Sequence, residues 1–284
     1  MTGNPRPKVS NDVIATFITV LVLGRIMERK RCLGLAELHD PKSLGVEPAL
    51  DLVLIHGLNG DYLSTWTYTG GSGSDVSKPV CWPTDLLPTA LPSVRVLSFD
   101  YNADIYGNTS VNKIRCHARS LLGRLAQREG PPGRPIVFVA HSLGGIILKQ
   151  IFFSTPHFGG DRSRWLSIAR SFSPLLPWRM SWRRGRYHPL VDALVRGSTE
   201  ISDLCEDFKF LAPRFQIASF YETRKWPGTN RPILDKLSAL MFVACEESMP
   251  LDKHHVEICR FWGAEDDGFR HTCDFIMRMA GWKS

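Results

Sequence analysis

Residues 137–160, with the sequence VFVAHSLGGIILKQIFFSTPHFGG, decide how the rest of the chain is interpreted. The run VFVA is typical of a buried strand, LGGIILKQ is compatible with a helix, and Ser142 stands between them. A serine at a sharp turn between a strand and a helix, flanked by small residues, is the pattern of a nucleophile elbow. Although a serine can also stand in an ordinary turn, this context predicts that Ser142 is a nucleophile.

Strand-like and helical patterns alternate along the chain from about residue 33. Apolar runs typical of buried strands are LDLVLIHG at 50–57, VRVLSFDY at 94–101, RPIVFVA at 134–140 and FQIASFYE at 215–222. Residues 112–129 repeat apolar side chains at helical spacing, and residues 269–279 form another helical pattern. This alternation predicts an α/β fold with a mostly parallel central sheet and helices on both faces.

The connection after Ser142 is unusually short for a parallel sheet. Only eight residues, 143–150, separate Ser142 from the strand-like run IFF at 151–153. A parallel crossover normally needs about a dozen residues or more, because the chain must return to the other edge of the sheet. We therefore expect either one helix over 146–153 with no strand, or a short helix followed by a stub of strand. Each outcome would weaken the support beneath Ser142.

A serine nucleophile needs a histidine base, which a carboxylate orients. On this kind of fold the chain order is serine, acid, histidine. The histidines after Ser142 are His157, His188, His254, His255 and His271. His157 is too close to the elbow, His188 falls in a basic segment, and His271 is typical of a helix surface. His255, in a polar turn before an apolar segment, is the predicted base, with His254 as its immediate rival.

The acid and the oxyanion donors are predicted from the ends of strands. Glu222 ends the run FQIASFYE, where a carboxylate would stand at the carboxyl edge of the sheet; Asp235 and Asp203 are alternatives. Two backbone N–H groups should face the developing oxyanion. We expect them to belong to Leu143, just after the nucleophile, and Leu58, in the turn after LDLVLIHG.

Composition and charge place limits on the other classes of function. Hydrophobic residues make up 43% of the 284 residues, and the formal net charge is +7, which favours anionic partners such as a membrane surface. The seven cysteines form no CxxC pair, which indicates a reducing, intracellular compartment. No zinc spacing, P-loop or dinucleotide fingerprint is present, so we expect no metal and no cofactor. The basic segment with tryptophans at 161–186 is more typical of a cap over an apolar cleft than of a nucleic-acid site.

The chain divides into two predicted parts. Residues 1–30 form an N-terminal extension, and residues 31–284 form the catalytic domain, with a small cap at about 161–200. The extension contains VIATFITVLVL at 13–23, which as a helix spans about 16 Å and is too short for a hydrocarbon core of about 30 Å. We expect a short anchor or targeting segment there, with a helix packed on the domain as the alternative.

Several motifs occur together in a characteristic order. They are GLAELHDP, DLVLIHGLNGD, WPTDLLPTALPSVRVLSFDYNAD, VFVAHSLGG, FFSTPHFGGD, FYETR and HHVEICRF. Together they resemble the serine esterases of the "serine active site containing" family, which are lipase-like α/β-hydrolases related to GPI inositol-deacylases, and the fungal members are the most similar. The resemblance covers residues 33–275, and relatives usually carry a longer segment between HSLGG and the TPH loop.

The resemblance implies an α/β-hydrolase fold, and it implies the same site. The family's serine, acid and histidine fall on Ser142, Glu222 and His255. It also implies ester substrates of lipid type and association with membranes of the endoplasmic reticulum or mitochondrion.

Two hypotheses about function follow. The first is a serine hydrolase that cleaves a carboxylic ester of a lipid-like substrate, with acyl transfer to another acceptor as a variant of the same chemistry. The second is a catalytically impaired module of the same fold that serves interaction or signalling. The short connection after Ser142 is the reason for considering the second.

Overall fold

The computed structural model describes residues 33–70, 78–103, 114–131, 133–147, 151–165 and 194–282. The predictions about the N-terminal extension with its apolar segment, about His188 and about most of the cap lie outside these residues. Within the described ranges, no helix is long and apolar enough to cross a membrane.

Most strands of the described residues belong to one sheet. The strands are β1 Gly34–His39, β2 Leu50–Ile55, β3 Thr67–Tyr68, β4 Val80–Cys81, β5 Val94–Asp100, β6 Ile136–His141, β7 Ile151–Phe153, β8 Ile217–Glu222 and β9 Glu246–Leu251. Seven of them form a sheet in the order β1-β5-β2-β6-β7-β8-β9, and β3 and β4 form a separate ribbon. Within the seven-stranded sheet only β1 runs antiparallel to its neighbour, so the prediction of a mostly parallel sheet is confirmed.

Helices cover both faces of this sheet. The α-helices of the described residues are α1 Trp82–Asp85, α2 Leu87–Ala90, α3 Ile114–Ala126, α4 Leu143–Ile147, α5 Thr199–Lys209, α6 Lys236–Ala239 and α7 Asp267–Met279. Short 3-10 helices lie at Pro41–Leu44, Ser64–Trp66 and Ala212–Arg214. Successive side chains of β2 point to opposite faces. Val53 packs in the same core as Leu121 of α3, whereas Leu54 packs with Ile276 of α7 on the other face.

The short connection after Ser142 contains a short helix and leads into a strand of only three residues. Helix α4 has five residues, β7 has three, and β7 pairs with β6 only from Val139 to His141. The chain therefore returns only to the level of Val139, about 10 Å below Ser142 at about 3.3 Å per residue. A five-residue helix descends about 7.5 Å. The connection is long enough because β7 begins beside the middle of β6 and not beside its start. The Ser142 N–H still donates to the Phe153 carbonyl oxygen at 3.0 Å.

The carboxyl ends of four neighbouring parallel strands converge on one edge of the sheet. His56 follows β2, Ser142 follows β6, Ser154 follows β7, and Glu222 is the last residue of β8. Open α/β sheets bind ligands at this edge. Polar side chains at this edge are therefore expected to meet.

Candidate active site

Ser142 stands on a sharp turn between β6 and α4. Its backbone φ is 52°, which is an outlier for a residue with a side chain. The two residues after Leu143 must be glycine because the surroundings are tight. A methyl group at Gly144 would overlap the carbonyl oxygen of Ile55, and one at Gly145 would overlap the hydroxyl of Thr155. The close approach of α4 to the neighbouring strand ends therefore explains the two consecutive glycines.

His255 lies beside this serine. Its Nε2 is 3.0 Å from the Ser142 Oγ, and its ring is buried. The residue is held from two further directions. The His141 Nε2 faces the His255 carbonyl oxygen at 2.8 Å, and the Trp165 indole packs edge-to-face against the imidazole with centroids 5.5 Å apart.

The rival histidines point elsewhere. His254 pairs with Glu257 at 3.0 Å and packs against Trp226. His157 is buried with its ring against Phe152, and His271 lies on helix α7. His255 is therefore the histidine that the structure brings to Ser142.

Glu222 is buried on the other side of His255. Its Oε1 is 2.9 Å from the His255 Nδ1 and accepts hydrogen bonds from the Leu234 N–H at 2.8 Å and the Ser154 Oγ at 3.0 Å. Its Oε2 accepts a longer bond of 3.4 Å from the Ile233 N–H. With these donors the carboxylate is satisfied away from water, which is the condition for burying it.

The two alternative acids do not reach this position. Asp235 caps helix α6 through the Ser238 N–H and pairs with Arg196 at 2.9 Å. Asp203 is exposed on helix α5. Glu222 is therefore the carboxylate that the structure brings to His255.

The turn after β2 lies against the serine. A methyl group added at Gly57 would come within 2.8 Å of the Ser142 Cβ. The backbone that leads into Leu58 therefore lies next to Ser142. The loop is held by the Asn59 N–H, which donates to the Ala103 carbonyl oxygen at 2.9 Å. Leu143 is the first residue of helix α4, where a backbone N–H has no acceptor within the helix. Leu58 and Leu143, the two residues predicted to supply oxyanion donors, therefore both lie close to Ser142.

His56 supports this turn. It is fully buried, with Nδ1 2.9 Å from the Gly57 carbonyl oxygen and Nε2 3.1 Å from Asp100. The Tyr101 ring stacks on it at 4.4 Å, and the Tyr101 hydroxyl donates to the His56 carbonyl oxygen. The sequence pattern did not single out His56, Ser154 or His141. A buried aspartate closing β5 was the available signal for His56.

Burial sets the charge state of His141 and of Cys259. The pKa of His141 lies well below its ordinary value because of burial and the neighbouring His255. It is therefore neutral at neutral pH and donates its Nε2–H to the His255 carbonyl oxygen. Burial also raises the pKa of the Cys259 thiol to about 12, which keeps it a thiol and a poor nucleophile. Ser142 therefore has no thiolate competitor at Cys259.

Ser142, His255 and Glu222 form a continuous chain of contacts from hydroxyl to imidazole to carboxylate. Such a chain can move a proton from the serine to the imidazole while the carboxylate stabilises the imidazolium. In the part of the chain that the structure describes, no group of three or more histidine, cysteine, aspartate or glutamate side chains could hold a metal ion. The contacts among Ser142, His255 and Glu222 are those of nucleophilic and acid–base chemistry.

Curated relatives and solved structures resemble the chain at low identity. Protein SERAC1 of Danio rerio is 24% identical over 81% of this chain and 39% of the relative, and that of Homo sapiens is 24% identical over 86% and 41%. The chain thus spans about two fifths of their length. The superposition on a lipase-esterase related protein from Clostridium acetobutylicum ATCC 824 covers 87% of this chain and 99% of that protein's chain, with 11% identity and a TM-score of 0.47. MenH from S. aureus covers 87% and 98%, with 13% identity and a TM-score of 0.47.

A family model spans most of the domain. The model of the Alpha/beta hydrolase family matches residues 52–275, a range that begins in β2 and ends in α7. It includes the elbow serine, the strand-end glutamate and the late histidine in the chain order of this fold. The chain therefore belongs to the alpha/beta hydrolase family.

Proposed function

We propose that the protein is a serine hydrolase that cleaves a carboxylic ester. Ser142 is the nucleophile, His255 is the base, and Glu222 orients His255. The single observation that carries the proposal is the buried chain of two short contacts, 3.0 Å from Ser142 Oγ to His255 Nε2 and 2.9 Å from His255 Nδ1 to Glu222 Oε1. Both distances lie within the reach required for proton transfer.

The acylation step follows from these positions. The Ser142 hydroxyl transfers its proton to the His255 Nε2 while its oxygen attacks the ester carbonyl carbon. The carbonyl oxygen gains a negative charge, which the N–H groups of Leu58 and Leu143 stabilise. The tetrahedral intermediate then collapses, the imidazolium protonates the leaving alcohol, and an acyl group remains on Ser142.

Deacylation repeats the same steps with water. His255 takes a proton from the water, the hydroxide attacks the acyl carbonyl, and the imidazolium returns the proton to the Ser142 oxygen as the acid leaves. Transfer to an alcohol or thiol would differ only in the acceptor. Hydrolysis and acyl transfer are therefore distinguished by adding such an acceptor and measuring the products.

A lipid-like ester is the proposed substrate class. Its support is the resemblance to lipase-like esterases of fungal type and to GPI inositol-deacylases, together with the apolar Trp165 indole packed directly against His255. The same resemblance supports an association with membranes of the endoplasmic reticulum or mitochondrion. The alternative of a catalytically impaired module rested on the short connection after Ser142. The retained bond from the Ser142 N–H to the β7 carbonyl favours the hydrolase instead.

Hydrolysis of p-nitrophenyl esters, from acetyl to dodecanoyl, tests the proposal. We expect turnover by the wild type, a loss of about 10⁴-fold or more in Ser142→Ala and His255→Ala, and a preference for the longer chains. His254→Ala is the matched control, because this adjacent histidine contacts Glu257 and should remain active. Equal activity of Ser142→Ala and the wild type would reject the hydrolase. A strict preference for acetyl would reject the lipid-like substrate.

A further inference from the structure

Ser154 has a backbone conformation that needs an explanation. It follows directly after β7, is fully buried, and has a φ of 47°. Residues other than glycine are strained in this left-handed region, and such strain persists only where the surroundings impose it. A serine therefore occupies a position where glycine would be less strained.

The side chain of Ser154 contacts Glu222. The Ser154 Oγ donates to the Glu222 Oε1 at 3.0 Å, and its backbone N–H donates to the Phe220 carbonyl oxygen at 2.8 Å. The same Oε1 faces the His255 Nδ1 at 2.9 Å. The hydroxyl is thus bonded to the carboxylate oxygen that contacts the proposed base.

We propose that Ser154 is a positioning residue that fixes the rotation of the Glu222 carboxylate, and through it the orientation of the His255 imidazole. The inference rests on the hydrolase function proposed above. The Leu234 N–H approaches Oε1 from the backbone, and the Ile233 N–H reaches Oε2 only at 3.4 Å. Apart from His255 itself, Ser154 supplies the side-chain donor to Oε1. Without it, the carboxylate is less constrained, and the proton acceptor for Ser142 is less well aligned.

The proposal also explains why a strand of three residues is sufficient in β7. Its last residue, Phe153, accepts the Ser142 N–H at 3.0 Å, and the next residue, Ser154, donates to Glu222. Two consecutive residues therefore hold the nucleophile at one end of the chain of contacts and the acid at the other. The part of this strand that supports the site is its carboxyl end, which the short connection preserves.

Two substitutions separate the hydroxyl from the strain. Ser154→Ala removes the hydroxyl and keeps a side chain at positive φ, whereas Ser154→Gly removes the hydroxyl and relieves the strain. Ser219→Ala is the matched control. Ser219 is also buried on β8 and donates to another glutamate, Glu246, at 2.5 Å, away from His255. The three variants and the wild type are compared in p-nitrophenyl ester hydrolysis and in urea unfolding.

We expect both Ser154 variants to lose about tenfold in kcat, the value of one hydrogen bond to a charged group, with KM within about twofold. Ser154→Gly should be at least as stable as Ser154→Ala, and Ser219→Ala should keep its kcat. A Ser154→Gly variant with the full kcat would overturn this inference alone, as would a loss confined to KM. A wild type that hydrolyses no ester would overturn the proposed function as well, so the two failures are distinguishable.

Discussion

At the scale of single residues, the site depends on two backbone positions where the chain comes unusually close to itself. Ser142 is held at positive φ, and Gly57 lies so near it that a methyl group would approach the Ser142 Cβ to 2.8 Å. Strain and close approach of this kind are common at functional sites, where they fix the reacting atoms. The spacing between the elbow and the β2 turn is therefore set by the absence of a side chain at Gly57.

A side chain at position 57 should disturb that spacing. Gly57→Ala should push the Leu58 amide away from Ser142, and a displacement of about 1 Å costs about a hundredfold in rate. The measurement is kcat for p-nitrophenyl ester hydrolysis, with circular dichroism to check folding. Gly123→Ala on helix α3 is the control, because its new methyl group meets nothing within 4 Å. It should keep full activity and gain about 0.5–1 kcal/mol in stability. Full activity of Gly57→Ala would contradict the assigned role of the turn.

Part of this residue-scale picture was predictable from the sequence. The contact of His255 with Ser142 and Glu222 was predictable because each residue stands at a strand end or in a loop and the fold orders them along the chain. Ser154 was not, because its role depends on a contact with a residue 68 positions away. The same holds for His56, whose partner Asp100 is 44 positions away. Side-chain contacts between distant segments have no local pattern.

At the scale of elements, a buried charge cluster ties together the amino ends of three strands. Asp51 of β2 is fully buried and contacts Arg95 at 2.8 Å, Arg128 at 3.0 Å and Arg134 at 3.2 Å. Arg95 belongs to β5, and Arg134 stands just before β6. One carboxylate thus neutralises part of the charge of three arginines at the edge of the sheet opposite Ser142.

Removal of this carboxylate should be costly. Asp51→Ala leaves three guanidinium groups without their buried partner, and the loss of one partner from a buried charge cluster costs about 3–5 kcal/mol. The free energy of unfolding in urea measures it. Asp252→Ala breaks an exposed pair with Arg224 of the same length, 2.8 Å, and should change the stability far less, because water screens that pair. Equal losses in the two variants would contradict the account.

The elements differ in how well their sequence predicts them. The apolar runs at β2, β5, β6 and β8 were predicted because strands buried on both faces are continuously apolar. The edge strand β9 was not predicted, since EESMPL contains two glutamates and a proline. Its Glu246 is polar for a local reason, because its carboxylate accepts the backbone N–H groups of Met241 and Phe242. An edge strand with one solvated side carries little apolar pattern.

At the scale of the whole molecule, the fold buries histidines that must stay neutral. The pKa of His141 is lowered by burial and by the neighbouring groups His255, Arg260 and His56. The pKa of His117 is also lowered, by burial and by His56. Unfolded histidines bind a proton near pH 6.5. Below that pH the unfolded chain therefore binds more protons than the folded chain does.

The consequence is a specific pH dependence of stability. The contribution of these histidines is fully present above about pH 6.5 and declines as the pH falls, by up to about 1.4 kcal/mol per pH unit for each group. Urea unfolding between pH 7.5 and 5.5 measures it in a window above the titration of ordinary carboxylates. His117→Gln should show a shallower decline than the wild type. A decline of equal slope in both proteins would contradict the assignment to His117.

The most direct test of the central claim is the covalent labelling of the folded protein with a fluorophosphonate, mapped by tandem mass spectrometry. We expect one phosphonylated residue, Ser142. We also expect normal labelling of His254→Ala and a labelling rate reduced by about 10³-fold or more in His255→Ala. A folded protein that takes no label, or a label that lies elsewhere and survives Ser142→Ala, would contradict the central claim.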